Sequence, residues 1–142
     1  MTHAGSIGQH EVRRTGDLVA LRIRGPLTIG DLRRLREVLV AVMAERGHCF
    51  LVADMREATA IDHDTRKYMA DWSRESTDWV AGAAIHGVSF AMRALLTLTL
   101  KAIKILGTQQ VELVFVKDEP DALRWIDDRR RALFPAAAHD HE

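Results

Sequence analysis

The chain is poor in cysteine, proline and net charge, and each scarcity excludes something. Cys49 is its only cysteine. One thiol can form no intrachain disulfide and no cysteine-based zinc site. It lies in the apolar run Cys49-Phe50-Leu51-Val52-Ala53, where a buried and inert thiol is expected. Three prolines among 142 residues leave no proline-rich linker, and no internal repeat or low-complexity tract is visible. The 20 basic and 20 acidic side chains cancel. A nonspecific nucleic-acid binder needs a basic surplus to neutralise phosphates, so that class is excluded. The opening residues Met1-Thr2-His3-Ala4-Gly5-Ser6 lack the basic and then apolar blocks of a signal peptide. A cytoplasmic protein is expected.

A clean long hydrophobic run is also missing. The richest stretch, Val88 to Leu106, is interrupted by Arg93, Lys101 and Lys104. Each such charge at a bilayer centre costs roughly 2.5–3.5 kcal/mol on insertion scales. The uninterrupted part falls short of the ~20 residues needed to span. A core or interface helix is the better reading.

What is present suits one globular domain. Hydrophobic residues make up 47% of the chain, enough for a single core at this length. The domain is expected over 10–134, with 1–9 and 135–142 as flexible tails. His10 to Arg14 and Leu18 to Arg24 read as strands around a Thr15-Gly16-Asp17 turn, and Gly25-Pro26 ends the second. Thr28 can cap a helix, with Asp31 three residues on. Leu32, Leu35, Leu39 and Val42 then share one face, and Gly47 suits the C-terminal cap. Cys49 to Met55 reads as a strand covered on both faces. Asp62 opens a second helix, with Thr65, Tyr68, Met69, Trp72, Ser76 and Trp79 along one side. Val80 to Ile85 is a buried strand, and the Val88–Leu106 helix follows. Gln110 to Val116 is the last strand, and Pro120 fits the first turn of a final helix. The order is ββαβαβαβα: an α/β fold with a mixed central sheet of about five strands and about four helices.

This order and two local patterns resemble the SpoIIAA-like, or STAS, family of anti-sigma factor antagonists, over His10 to Leu133. The strand Phe50-Leu51-Val52-Ala53-Asp54-Met55 ends near an Asp, and Asp62-His63-Asp64-Thr65 follows eight residues later. The family places Asp-Ser-Ser-Gly there, at the start of a helix. The segment Glu119-Pro120-Asp121-Ala122-Leu123-Arg124-Trp125-Ile126 is similar to the closing motif of a bacterial branch related in fold to the lipid-carrying CRAL-TRIO domains. The resemblance implies a regulatory, non-enzymatic protein-interaction module with an anti-sigma-factor-like or kinase-like partner. It also puts Asp64 where switch members carry the phosphorylated Ser. A phosphoserine carries about −1.5 to −2 charges at pH 7, so Asp64 is at most a partial, permanent mimic. Thr65 replaces the Gly and supplies a neighbouring hydroxyl.

The residues admit duller readings. Acidic side chains favour helix starts whatever their function, and Asp caps well. Adjacent residues on a helix point apart, so Asp62, His63 and Asp64 assemble no catalytic set, and a hydrolase ranks last. No cofactor or metal is implied; the His139-Asp140-His141-Glu142 run reads as a tail. Trp72, Trp79 and Trp125 read as core anchors. The Val88–Leu106 helix carries more apolar surface than packing on one sheet requires. Phe90, Met92, Leu96, Leu100 and Ile103 are its candidates for a homodimer surface or the wall of an apolar ligand pocket. A carrier or sensor of an apolar small molecule or lipid is therefore the alternative function. The neutral total hides alternating blocks. Residues 54–78 hold four basic and seven acidic side chains, whereas 88–106 holds three basic and none acidic. An acidic surface at Asp62 and Asp64 would favour a basic protein partner.

Overall fold

The computed structural model describes residues 2–75, 80–106 and 112–135. Three strands open it: β1 (Thr2–Ile7), β2 (His10–Thr15) and β3 (Leu18–Leu27). Then follow α1 (Ile29–Arg46), β4 (Phe50–Ile61), α2 (His63–Glu75), β5 (Gly82–His86), α3 (Phe90–Leu106), β6 (Leu113–Val116) and α4 (Glu119–Leu133). The six strands form one sheet in sequential order, β1 to β6. The first three are antiparallel hairpins, and β3 to β6 are parallel.

That order decides where the helices go. Parallel crossovers are almost always right-handed. A sheet that grows in one direction therefore keeps its crossover helices on one face. The buried side of α1 (Leu32, Leu35, Leu39, Val42), Trp72 of α2, and Met92 and Leu96 of α3 all pack against Val19, Leu21, Ile23, Ala53, Met55, Ala83 and Ile85. Leu39 and Val42 are almost wholly buried, and each such side chain contributes about 1.5–3 kcal/mol. Among the described residues only α4 covers the other face, through Ala122 and Ile126 on Phe50, Val52 and Ala84. The half of that face built by β1, β2 and β3 carries no helix among the described residues.

Two expectations change. Residues 1–9 were expected as a tail in a sheet of about five strands; Thr2–Ile7 is instead a sixth strand, paired along β2 from Thr2↔Thr15 to Ile7↔His10. Its small, polar residues show no apolar alternation because an edge strand is held by backbone bonds; of Ala4 to Ile7 only Ile7 enters the core. The signal was the two-residue turn Gly8-Gln9, with Gly8 at φ 59°, a left-handed backbone that favours glycine. The second change is that β4 runs on to Ile61. Its outer half pairs with the end of β3 from Arg24↔Glu57 to Leu27↔Ile61, across two register shifts that accommodate Pro26. Residues 136–142, the greater part of the expected C-terminal tail, lie outside the described residues, as do Ser76 and Trp79.

The helix ends follow their local chemistry. Thr28 and Asp31 form a reciprocal capping box, and Gly47 closes α1 in the left-handed conformation at φ 81°. Asp118 caps α4, with Pro120 in its first turn.

Candidate functional site

The start of α2 is built from one capping bond. The Thr65 N–H donates to Asp62 Oδ1 at 2.8 Å, so Asp62 serves as the cap. The Thr65 hydroxyl and N–H, together with the nearby Arg66 and His63, hold the Asp62 carboxyl below its ordinary value, against a smaller upward push from desolvation. Of the two Thr65 groups, only the N–H makes a well-formed bond; the hydroxyl is buried without meeting hydrogen-bond geometry. Thr65 is fully buried, so it faces the core and not a docking partner. Asp62, His63 and Asp64 are exposed. Asp64 stands in the first turn with no hydrogen bond or ion pair among the described residues. The structure thus brings three of the four expected residues to the surface and withdraws the fourth.

Asp54, eight residues before the start of α2, lies away from it. Eight residues of extended chain span roughly 25 Å, and β4 stays a strand to Ile61. Asp54 accepts from the Arg56 N–H at 3.0 Å, from Arg56 Nε at 3.1 and 3.2 Å, and from an Arg56 terminal nitrogen at 2.8 Å. The Arg56 guanidinium holds the Asp54 carboxyl below its ordinary value, against partial desolvation. This pair borders an open groove of about 520 Å³ on the half-covered face of the sheet. Ala4, Ala20 and Val52 line it beside Arg13, His86 and Glu119. His86, on β5 opposite Asp54, is buried, and its side chain makes no hydrogen bond among the described residues. The groove is not legible in the sequence because its residues come from six elements.

The expected apolar surface of α3 divides in two. Met92 and Leu96 are buried in the core, whereas Phe90 is 90% exposed. Two residues along a helix is about 200° around it, so Phe90 and Met92 cannot share a face. The side chains of Leu100 and Ile103 lie outside the described residues.

Two buried polar networks fix the frame. Asp17, in the β2–β3 turn, accepts from Arg130 Nε at 3.0 Å and from an Arg130 terminal nitrogen at 2.7 Å, and meets His48 Nε2 at 2.8 Å. Arg130 also lies over the Phe50 ring, and His48 stacks on Phe134. At the other hairpin, His10 Nδ1 accepts from the Arg24 N–H at 2.9 Å. The ring proton therefore sits on Nε2 and faces Asp31 Oδ2 at 2.9 Å. Desolvation works to raise the Asp31 carboxyl, but the Thr28 and His10 bonds outweigh it and hold the carboxyl below its ordinary value.

No family model matches the chain, and no curated protein matches it in sequence. Solved structures do match in fold. One is an uncharacterized protein of the DUF3478 family with a SpoIIAA-like fold from Shewanella loihica PV-4. It is 19% identical, with 87% of this chain and 92% of that chain covered at a TM-score of 0.54. Another is the anti-sigma factor antagonist SpoIIAA in its unphosphorylated form. It is 11% identical, with 89% of this chain and 97% of that one covered, again at a TM-score of 0.54. The fold of this chain is SpoIIAA-like, with six strands in a mixed sheet and four helices. No helix among the described residues is long and apolar enough to cross a membrane.

Proposed function

We propose that the chain is a non-enzymatic regulatory module that docks a basic surface of a protein partner through His63 and Asp64 at the start of α2. The observation that carries this reading is Asp64 itself: an exposed carboxylate in the first helical turn, free of any partner among the described residues. Asp62 is occupied as the cap and Thr65 is buried, so Asp64 is the acid left for recognition. The fold supports the reading by likeness to an anti-sigma factor antagonist. The alternative, an apolar-ligand carrier, has less support, because the groove on the sheet is open and lined by charged side chains that fit a lipid tail poorly.

The test is affinity capture from the source cytosol, followed by binding measurements on the recovered partner. Asp64→Arg should weaken binding at least tenfold, while Thr65→Val should leave it within about twofold. Equal binding by Asp64→Arg and the parent chain would overturn the assignment.

A further inference from the structure

The outward side of α3 is apolar and its charges have one sign. Phe90 is 90% exposed and Leu98 64%, and Ala91, Ala94 and Leu95 are exposed beside them. At about 100° per residue these five fall within an arc of roughly 140°. Lys101 projects from within that arc and Arg93 lies beyond its Phe90 edge; both are exposed. The Arg93 guanidinium rests 5.1 Å from the Phe115 ring centre, which holds its charge beside the patch. The α3 sequence contains Arg93, Lys101 and Lys104 and no acidic residue.

We propose that this face seats α3 flat on an anionic phospholipid bilayer. Phe90, Leu95 and Leu98 would enter the headgroup boundary, and the basic side chains would meet lipid phosphates. Charge complementarity selects the occupant. A second copy docked through α3 about a twofold axis would bring the same cations together. A bilayer requires neither opposing cations nor a matching protein surface. The face is separate from the start of α2, so the inference stands apart from the docking role proposed there.

The test is co-sedimentation of the full chain with phosphatidylcholine vesicles, with and without about 30 mol% phosphatidylglycerol. Binding should favour the anionic vesicles at least tenfold and weaken as salt shortens the screening length. Leu98→Asp should lower it at least tenfold. Lys101→Glu reverses one charge and should lower it about 25-fold at low salt. Val40→Asp, at an exposed apolar position on α1, should stay within threefold of the parent, and circular dichroism would confirm that each variant is folded. Absence of sedimentation with anionic vesicles, or unchanged sedimentation of Leu98→Asp, overturns the proposal. So does a dimer in light scattering that Leu98→Asp dissolves, which would assign the face to a second copy.

Discussion

Removing Arg130 should strip a buried carboxylate of most of its partners. Arg130→Met keeps an aliphatic side chain over Phe50 but withdraws two of the three hydrogen-bonding contacts on Asp17. Asp17 is only 4% exposed, so solvent screens its charge poorly. Leaving one member of a buried ion pair alone costs about 3–5 kcal/mol. His48 still faces the carboxylate, which places the expected loss near the low end, about 3 kcal/mol. For a domain of this size that corresponds to a fall in Tm of roughly 10 °C. Urea unfolding followed by far-ultraviolet circular dichroism measures it. Asp17→Asn alone should also destabilise, and the double variant should lose about 2 kcal/mol less than the sum of the singles. A loss below 1 kcal/mol for Arg130→Met would refute the reasoning, since that is what an exposed pair contributes.

Acid titration supplies the sign. Desolvation pushes the Asp17 carboxyl up, but the hydrogen bonds from Arg130 and His48 and their charges outweigh it, so it lies below the ordinary 3.8. A carboxyl lowered by folding stabilises the native state fully above its unfolded value. That contribution disappears as the pH falls through its folded value. The deficit of Arg130→Met against the parent should therefore shrink below about pH 4. A deficit that widened there would mean the pair is not its source.

Three further outcomes follow from the packing. Burial, and then the negative charge of Asp17, pushes the Cys49 thiol up to about 12; it should resist a thiol reagent at pH 8 in the native state and react promptly in urea. A methyl group at Gly82 would meet the Trp125 ring at 3.0 and 3.1 Å and Phe50 at 3.3 Å. Gly82→Ala should thus cost about 1–3 kcal/mol in the same urea assay by levering α4 off the sheet. Asp31→Ala removes both the capping-box acceptor and the partner of His10 Nε2. It should cost about 2 kcal/mol and loosen the β1–β2 hairpin in hydrogen exchange.

The features legible in the sequence were those whose causes are local. Thr28 with Asp31, Gly47 and Pro120 act within one helical turn, and all three helix ends lie where these residues place them. Leu32, Leu35, Leu39 and Val42 reach the core because their spacing alone fixes their face. The features missed depend on distant chain segments. Asp17 and Arg130 are 113 residues apart, and His10 and Asp31 are 21 apart. The length of β4 was hidden in the sequence for a related reason. Whether eight residues form a loop or a strand depends on the end of β3 lying alongside them, and no periodicity within the segment reveals that neighbour.

The same division separates the two acids at the start of α2. Asp62 spends its carboxylate on the Thr65 N–H, so replacing it changes how the helix begins as well as its charge. Asp64 is exposed and unpaired among the described residues, so replacing it changes charge alone. A phosphoserine switch adds about −1.5 to −2 charges when modified; Asp64 carries its single charge permanently. A docking surface built on it is constitutive, and any regulation must act on the partner or elsewhere on this chain. An exposed carboxylate is also screened by salt over a Debye length of about 8 Å at physiological ionic strength. Partner binding through Asp64 should therefore weaken as salt rises. Asp62→Asn keeps a capping oxygen for the Thr65 N–H but removes one exposed charge beside Asp64, so it should weaken binding less than Asp64→Arg, which reverses a charge.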